Sequence, residues 1–307
     1  MSRQVEIWAV ADTRRGVENQ AIGLAEALAR EVGGAMHRVI IRDDGYVTLP
    51  DADNPDVWIG CGRPAISIAR RHRKNYGHSR FVYVQNPRSH HQLFDAIVAP
   101  GHDQLKTRNA IPMLGSPNRV THERLAIEAA KFSERLDGLP TPRAAMLIGG
   151  PNKRLKMSAG IQGAILQRAE WLVGQGYSLM VTTSRRTPAK LVRAISALSQ
   201  NKQCWIYAGE GENPYFAFLA SADVIFVTED STNMLTEAAF TGRPVYSLPL
   251  EGNPGKFRLL HNELEARDAL RPFLGRLDSW TYSPLDETSR IATLLAHRFQ
   301  LVGDAVQ

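Results

Sequence analysis

The chain is poor in cysteine, with Cys61 and Cys204 alone among 307 residues and no CxxC or Cys/His grouping. That excludes a disulfide framework and a structural zinc site, and a reduced cytoplasmic setting is the expectation. No apolar run approaches the ~20 residues of a bilayer-spanning helix. The apolar segment Val5–Ala11 is too short for a secretory core and lacks a cleavage pattern. No P-loop, GxGxxG, GxSxG or HExxH motif occurs, which argues against nucleotide hydrolysis, dinucleotide redox, esterase chemistry and zinc proteolysis. Low-complexity tracts and short repeats are absent.

One absence is local. Between Val57 and Phe94 there is no Asp or Glu, while the same stretch holds Arg63, Arg70, Arg71, Arg73, Lys74, Arg80 and Arg88 and four histidines. Such a window is either the solvated end of a helix or a basic face for an anionic acceptor or a membrane surface. The whole chain carries a net charge of +6 and a pI near 9.4, which favours anionic partners without demanding nucleic acid.

What is present is an alternation. Short apolar runs at Val5–Ala11, Met36–Ile41, Val57–Cys61, Phe81–Val84 and Asp95–Ala99 alternate with helical stripes, the first on Ala21, Leu24, Ala25, Leu28 and Ala29. A helix is expected over Thr121–Leu136. Leu139–Pro142, with two prolines, reads as a linker. The pattern restarts with strands at Ala144–Ile148, Tyr177–Val181, Gln203–Tyr207 and Val224–Val227. Helices follow at Ser158–Gly174, from Pro188, from Ser231 and at Lys256–Ala266. A last helix spans about Leu285–Leu301, with Leu285, Ile291, Leu294, Leu295 and Phe299 as its apolar face. The expected fold is α/β, with two Rossmann-like domains of parallel sheet covered on both faces. Residues 1–139 form the first, 143–284 the second, and 285–307 return to the first.

Ligands of such sheets bind at the carboxyl ends of the strands. In the second half, GGPNKR (149–154), TTSRR (182–186) and EDSTN (229–233) follow three strands. Glycines let backbone amides approach a phosphate, Lys153, Arg154 and Arg185 neutralise it, and Ser231 caps a helix whose N-terminus favours anions. Glu237, six residues beyond Ser231, is placed for ribose hydroxyls, or is simply a solvated carboxylate. In the first half the loop after Val5–Ala11 carries Asp12, Arg14, Arg15, Glu18 and Asn19.

The strings GVENQAIGLAEAL, LIGGPNKRLKMS, LMVTTSRRTP and VTEDSTNMLTEAAFTGRPVYSLPLEG resemble the mitochondrial fission, elongated-mitochondria-type family in its bacterial members, over nearly the whole chain. More distantly the chain is similar to GT-B transferases of cell-envelope synthesis. The resemblance implies a GT-B architecture with its active-site cleft between the domains. It implies a nucleotide-sugar site on Gly150, Lys153, Ser184, Arg185, Ser231, Thr232, Asn233 and Glu237, to which Arg154 is added. The acceptor side would use Arg63, Asn86 and Arg88, with Glu18 as base, by analogy with Kdo transferases, or else Asp12. A metal-independent glycosyltransferase is expected, with a nucleotide-diphosphate sugar as donor and no other cofactor. Its acceptor would be anionic or lipid-linked, at the cytoplasmic face of the inner membrane, with no nucleic-acid partner. Two alternatives are a sugar-nucleotide epimerase of the same fold and a non-catalytic membrane-associated adaptor.

Overall fold

The computed structural model describes residues 3–301. They divide into two compact units, one made of residues 3–119 and 286–301, the other Val120–Leu285. No helix among the described residues is long and apolar enough to cross a membrane.

The first unit begins with β1 (Glu6–Asp12), α1 (Arg15–Val32), β2 (Ala35–Ile41), β3 (Val47–Thr48) and β4 (Val57–Cys61). It continues with α2 (Arg63–Asn75), β5 (Arg80–Val84), β6 (Ala96–Pro100) and β7 (Ala110–Met113). Seven strands lie in the order β3-β2-β1-β4-β5-β6-β7, all parallel except β3. Period-two alternation splits β1 between two cores. Ile7, Ala9 and Ala11 join the α1 side, and Trp8 and Val10 join the face that holds Ile68 and Ala69 of α2. Both faces are covered, which is why the strands read as continuous apolar runs. Within the second core the Trp58 indole donates to His72 Nδ1 at 3.1 Å, and burial pushes His72 down to about 4. One histidine of the carboxylate-free window is therefore a neutral core residue.

The second unit opens with α3 (His122–Lys131) and α4 (Ser133–Asp137), then β8 (Arg143–Ile148), β9 (Leu155–Lys156), α5 (Ala159–Gly174), β10 (Ser178–Thr183), α6 (Ala189–Ser196) and β11 (Cys204–Tyr207). It closes with α7 (Tyr215–Ser221), β12 (Val224–Thr228), α8 (Thr232–Ala239), β13 (Val245–Leu248), β14 (Glu251–Gly252), α9 (Phe257–Ala266) and β15 (Arg271–Pro272). Its parallel sheet runs β11-β10-β8-β12-β13-β15, and β9 and β14 form a separate antiparallel pair. Ile165, Ala169 and Leu172 of α5 and Leu191 and Ile195 of α6 fill one face against Ala144, Met146 and Ile148.

The division between units falls at Arg119–Val120, ahead of the break expected at Leu139–Pro142. Helix α3 packs on α7, and Phe132 sets its ring against Trp205 at 5.6 Å, with the Arg135 guanidinium 4.3 Å from the same indole. The helix expected over 121–136 thus belongs to the second unit, in two pieces.

The last helix, α10 (Glu287–Arg298), packs along α1 in the first unit and buries Ile291, Ala292, Leu295 and Ala296. Leu294 is 38 % exposed and lies off the buried face, a correction to the stripe read from the sequence. The two alanines take its place because close helix packing favours small side chains there. Leu295→Ala is expected to cost about 2–5 kcal/mol of stability in urea unfolding. Leu294→Ala should stay within about 0.5 kcal/mol. Equal losses at the two positions would show that α10 is seated otherwise.

Candidate functional site

In the second unit β10, β8 and β12 are neighbours, so the loops at their carboxyl ends meet. They are joined by one ion pair. Arg186 Nη2 lies 2.7 Å from Asp230 Oδ2, and that oxygen also accepts the Gly150 amide at 3.1 Å. Arg186 Nη1 donates to the carbonyls of Gly150 and Pro151 at 3.1 and 3.2 Å. The Gly149 amide donates to Thr228 Oγ1 at 2.7 Å, and Thr187 Oγ1 donates to the Gly149 carbonyl at 2.5 Å.

The glycines have a definite reason. A Cβ on Gly149 would sit 2.3 Å from Asp230 Oδ1, and one on Gly150 would sit 2.3 Å from the Arg186 carbonyl oxygen. The pair allows the three loops to interlock. Both amides are used inside the junction, so Gly150 serves here as a spacer between loops, not as an open amide donor. Ser184 is likewise engaged, accepting the Arg186 amide at 3.2 Å. Asp230 and Arg186 lie in loops named from the sequence, but neither was assigned a role of its own and their pairing was not expected. They lie 44 positions apart in the chain, and only the β8-centred strand order brings them together.

Above this junction the chemistry is cationic. Lys153, Arg154 and Arg185 are exposed, and no carboxylate pairs with them among the described residues. Ser231 caps α8, its Oγ accepting the Met234 amide at 3.3 Å, and Thr232 and Asn233 form the first turn. Glu229, in the same loop, is occupied in holding the Leu250 amide at 2.7 Å. Glu237 is buried on α8, and Tyr215 of α7 donates its hydroxyl to Oε2 at 2.5 Å. Burial pushes Glu237 from an ordinary 4.5 up to about 7, against the lowering effect of the Tyr215 hydrogen bond. It is not a solvated surface carboxylate.

In the first unit Asp12, Gly62 and Gln85 stand at the carboxyl ends of the neighbouring strands β1, β4 and β5. Burial opposes the Asp12 charge, yet hydrogen bonds from the Arg14 side chain and backbone outweigh it and hold its pKa below the usual range. The Arg14 Nη2–Asp12 Oδ2 distance is 2.6 Å. Gly62, at φ +86°, lies where a Cβ would meet Val17 Cγ1 at 2.7 Å. Gln85 and Arg88 adopt positive φ of 85° and 64°, an unusual backbone for non-glycine residues and one that collects at ligand sites. Gln85 Nε2 donates to Gln20 Oε1 at 3.0 Å. Asn86 accepts the Arg88 amide at 2.8 Å, and Arg63 is exposed in the first turn of α2.

Glu18 is in the first turn of α1, buried, with Arg38 Nε donating to its Oε1 at 2.6 Å. Both carboxylates proposed as bases therefore carry an arginine. The basic window is also partly consumed. Arg73 pairs with Asp95 at 2.9 Å, just past the window's end, and Arg80 lies 5.9 Å from the Phe299 ring centroid.

Comparison with known proteins follows the same lines. The family model described as Mitochondrial fission ELM1 matches residues 15–299. The Mitochondrial fission protein ELM1 of Arabidopsis thaliana is 29% identical over 310 residues, covering 92% of this chain and 71% of that protein. An uncharacterized protein of Rickettsia prowazekii is 26% identical over 358 residues, covering 95% of this chain and 98% of its own. Among solved structures, Staphylococcus aureus MnaA with UDP superposes with a TM-score of 0.55 at 12% identity, covering 98% of each chain. The Neisseria meningitidis UDP-GlcNAc 2-epimerase bound to UDP-GlcNAc gives 0.53 at 13% identity, over 95% of this chain and 100% of that one. These likenesses establish a GT-B-type fold.

The Glu237 environment yields a pH dependence. Its folded pKa lies above its ordinary value, so its contribution to stability is fully present below about 4.5 and is lost as pH rises through about 7. Across that window this one group should weaken the fold by roughly 3 kcal/mol. Urea unfolding of the parent and Glu237→Gln over the same window measures it. The substitution should remove that slope, and an unchanged slope would show that Glu237 titrates as an ordinary carboxylate.

Proposed function

The chain belongs to the mitochondrial fission ELM1 family, and on that premise we propose that it is a glycosyltransferase-like protein. In this reading it binds a nucleotide-diphosphate sugar on its second unit and passes the sugar to a cell-envelope or lipid-linked acceptor. The observation that carries the reading is the locked junction of three strand-end loops, two of which carry exposed, unpaired cations, with a buried carboxylate on α8 behind the third. A diphosphate needs positive charge and donors, which Lys153, Arg154, Arg185, Ser231 and the first turn of α8 supply. Glu237 lies about 9 Å along the helix from Ser231, the reach from a phosphate to the ribose of the same nucleotide. It accepts the ribose hydroxyls in place of Tyr215. The cations that bind the diphosphate also stabilise it as it leaves.

The acceptor side of the reading rests on Arg63, Asn86 and Arg88 at the carboxyl edge of the first unit. The base is Glu18 or Asp12, each acting only on giving up its arginine partner. That same pairing supports a second reading, a non-catalytic adaptor that keeps the nucleotide site. An epimerase would need free carboxylates around the sugar, and the arginine partners of Asp12 and Glu18 weigh against it.

Calorimetric titration with uridine, guanosine and cytidine diphosphates tests the donor site. At least one should bind, and Glu237→Ala should weaken it by roughly ten- to a hundredfold. No binding of any nucleotide at millimolar concentration would overturn the proposal. Glu18→Gln should leave that affinity unchanged while lowering product formation by roughly two to four orders of magnitude. Full turnover in both Glu18→Gln and Asp12→Asn would remove the assigned bases.

A further inference from the structure

We propose that the first unit carries a second anion site, which takes the phosphate group of a small organic phosphate with a hydroxylated body. It lies where β6 and β7 begin, at the opposite edge of the sheet from Asp12, Gly62 and Gln85. The segments that enter those two strands, around His91 and Thr107, wall an open cavity of about 810 Å3, with Arg70 of α2 on its rim. That volume is in the range of small-molecule sites, larger than inorganic phosphate alone needs.

The lining is chemically one-sided. Arg70 and Arg108 supply two guanidiniums, His90 and His91 two imidazoles, and Ser89 and Thr107 two hydroxyls. No carboxylate lines the cavity. Arg70 and Arg108 are exposed and have no ion pair among the described residues, whereas Arg73 of the same helix is neutralised by Asp95. A cavity with two uncompensated guanidiniums and no acceptor charge favours a dianion. Leu93 is its single apolar side chain among the described residues, and Gln92, Ser89 and Thr107 offer hydrogen-bond partners to a hydroxylated ligand body.

The walls are built independently of any ligand. Asn109 Nδ2 donates to the carbonyls of His91 and Phe94, both at 2.8 Å, and Arg73 Nη1 donates to the Leu93 carbonyl at 3.2 Å. Against that rigid frame His91 Nε2 and Thr107 Oγ1 are buried without a hydrogen-bond partner. Both residues line the cavity, and these two unpaired atoms lie inside its walls. The proposal does not depend on the nucleotide reading of the second unit.

The probes are glycerol phosphate, inorganic phosphate and vesicles of phosphatidylglycerol in phosphatidylcholine. Saturable calorimetric binding of glycerol phosphate, weakened about tenfold or more in Arg70→Ala/Arg108→Ala, is the expected result. Thr107→Val should weaken it too, with melting temperature unchanged. Flotation with the anionic vesicles, lost in the double variant, identifies a lipid headgroup as the source; soluble binding without flotation identifies a free ester. The double variant should titrate with nucleoside diphosphate like the parent, which separates the two sites. Absence of binding in every arm, or equal binding by the double variant, overturns the proposal.

Discussion

The Arg186–Asp230 ion pair is the contact on which the carboxyl edge of the second unit's sheet depends. The Asp230 side chain is fully buried and the Arg186 side chain is about half exposed (46%), so the pair joins the sheet interior to its surface. One carboxylate oxygen takes both the guanidinium and the Gly150 amide, tying together the loops after β8, β10 and β12. A buried carboxylate stripped of its partner is costly, roughly 3–5 kcal/mol, so the loops hold their places together or not at all. The two glycines follow from this demand, since a Cβ at either would fall inside the junction.

The carboxylates singled out in the two units are held differently. In the first, Asp12 is neutralised by Arg14, Glu18 by Arg38 and Asp95 by Arg73. In the second, Lys153, Arg154 and Arg185 are exposed and without an ion pair among the described residues, in the loops after β8 and β10, and burial pushes Glu237 up to about 7. Unpaired cations over a rigid junction are what an anionic ligand needs, because little reorganisation opposes binding. That contrast supports the proposal that the second unit is the donor side.

Strand–helix alternation, parallel sheets and the three strand-end loops were all readable from the sequence, because strands buried on both faces appear as unbroken apolar runs. The Ser231 cap was readable too, whereas the burial of Glu237 against Tyr215 was not. Local pattern could not reveal Glu18–Arg38, 20 residues apart, or Arg186–Asp230, 44 apart, since each pairing is a product of strand order. Strand β7 escaped notice because Pro112 interrupts it, which an edge position tolerates. The prolines at 139–142 suggested the division between units, but the aromatic contacts of Phe132 and Arg135 with Trp205 carry the preceding helix into the second unit. The exposure of Leu294 shows that an apolar stripe can name a helix without naming each buried position.

A double-mutant cycle on nucleotide affinity tests most directly the proposal that this interlocked junction forms a nucleoside-diphosphate site. Asp230→Asn, Arg186→Gln and the double variant would each be titrated with the diphosphate that binds the parent most tightly. Each single change should weaken binding by about tenfold, and the double should be no weaker than the worse single, a coupling of about 1–3 kcal/mol. Parent-like affinity in both single variants, or losses that simply add, would contradict the claim.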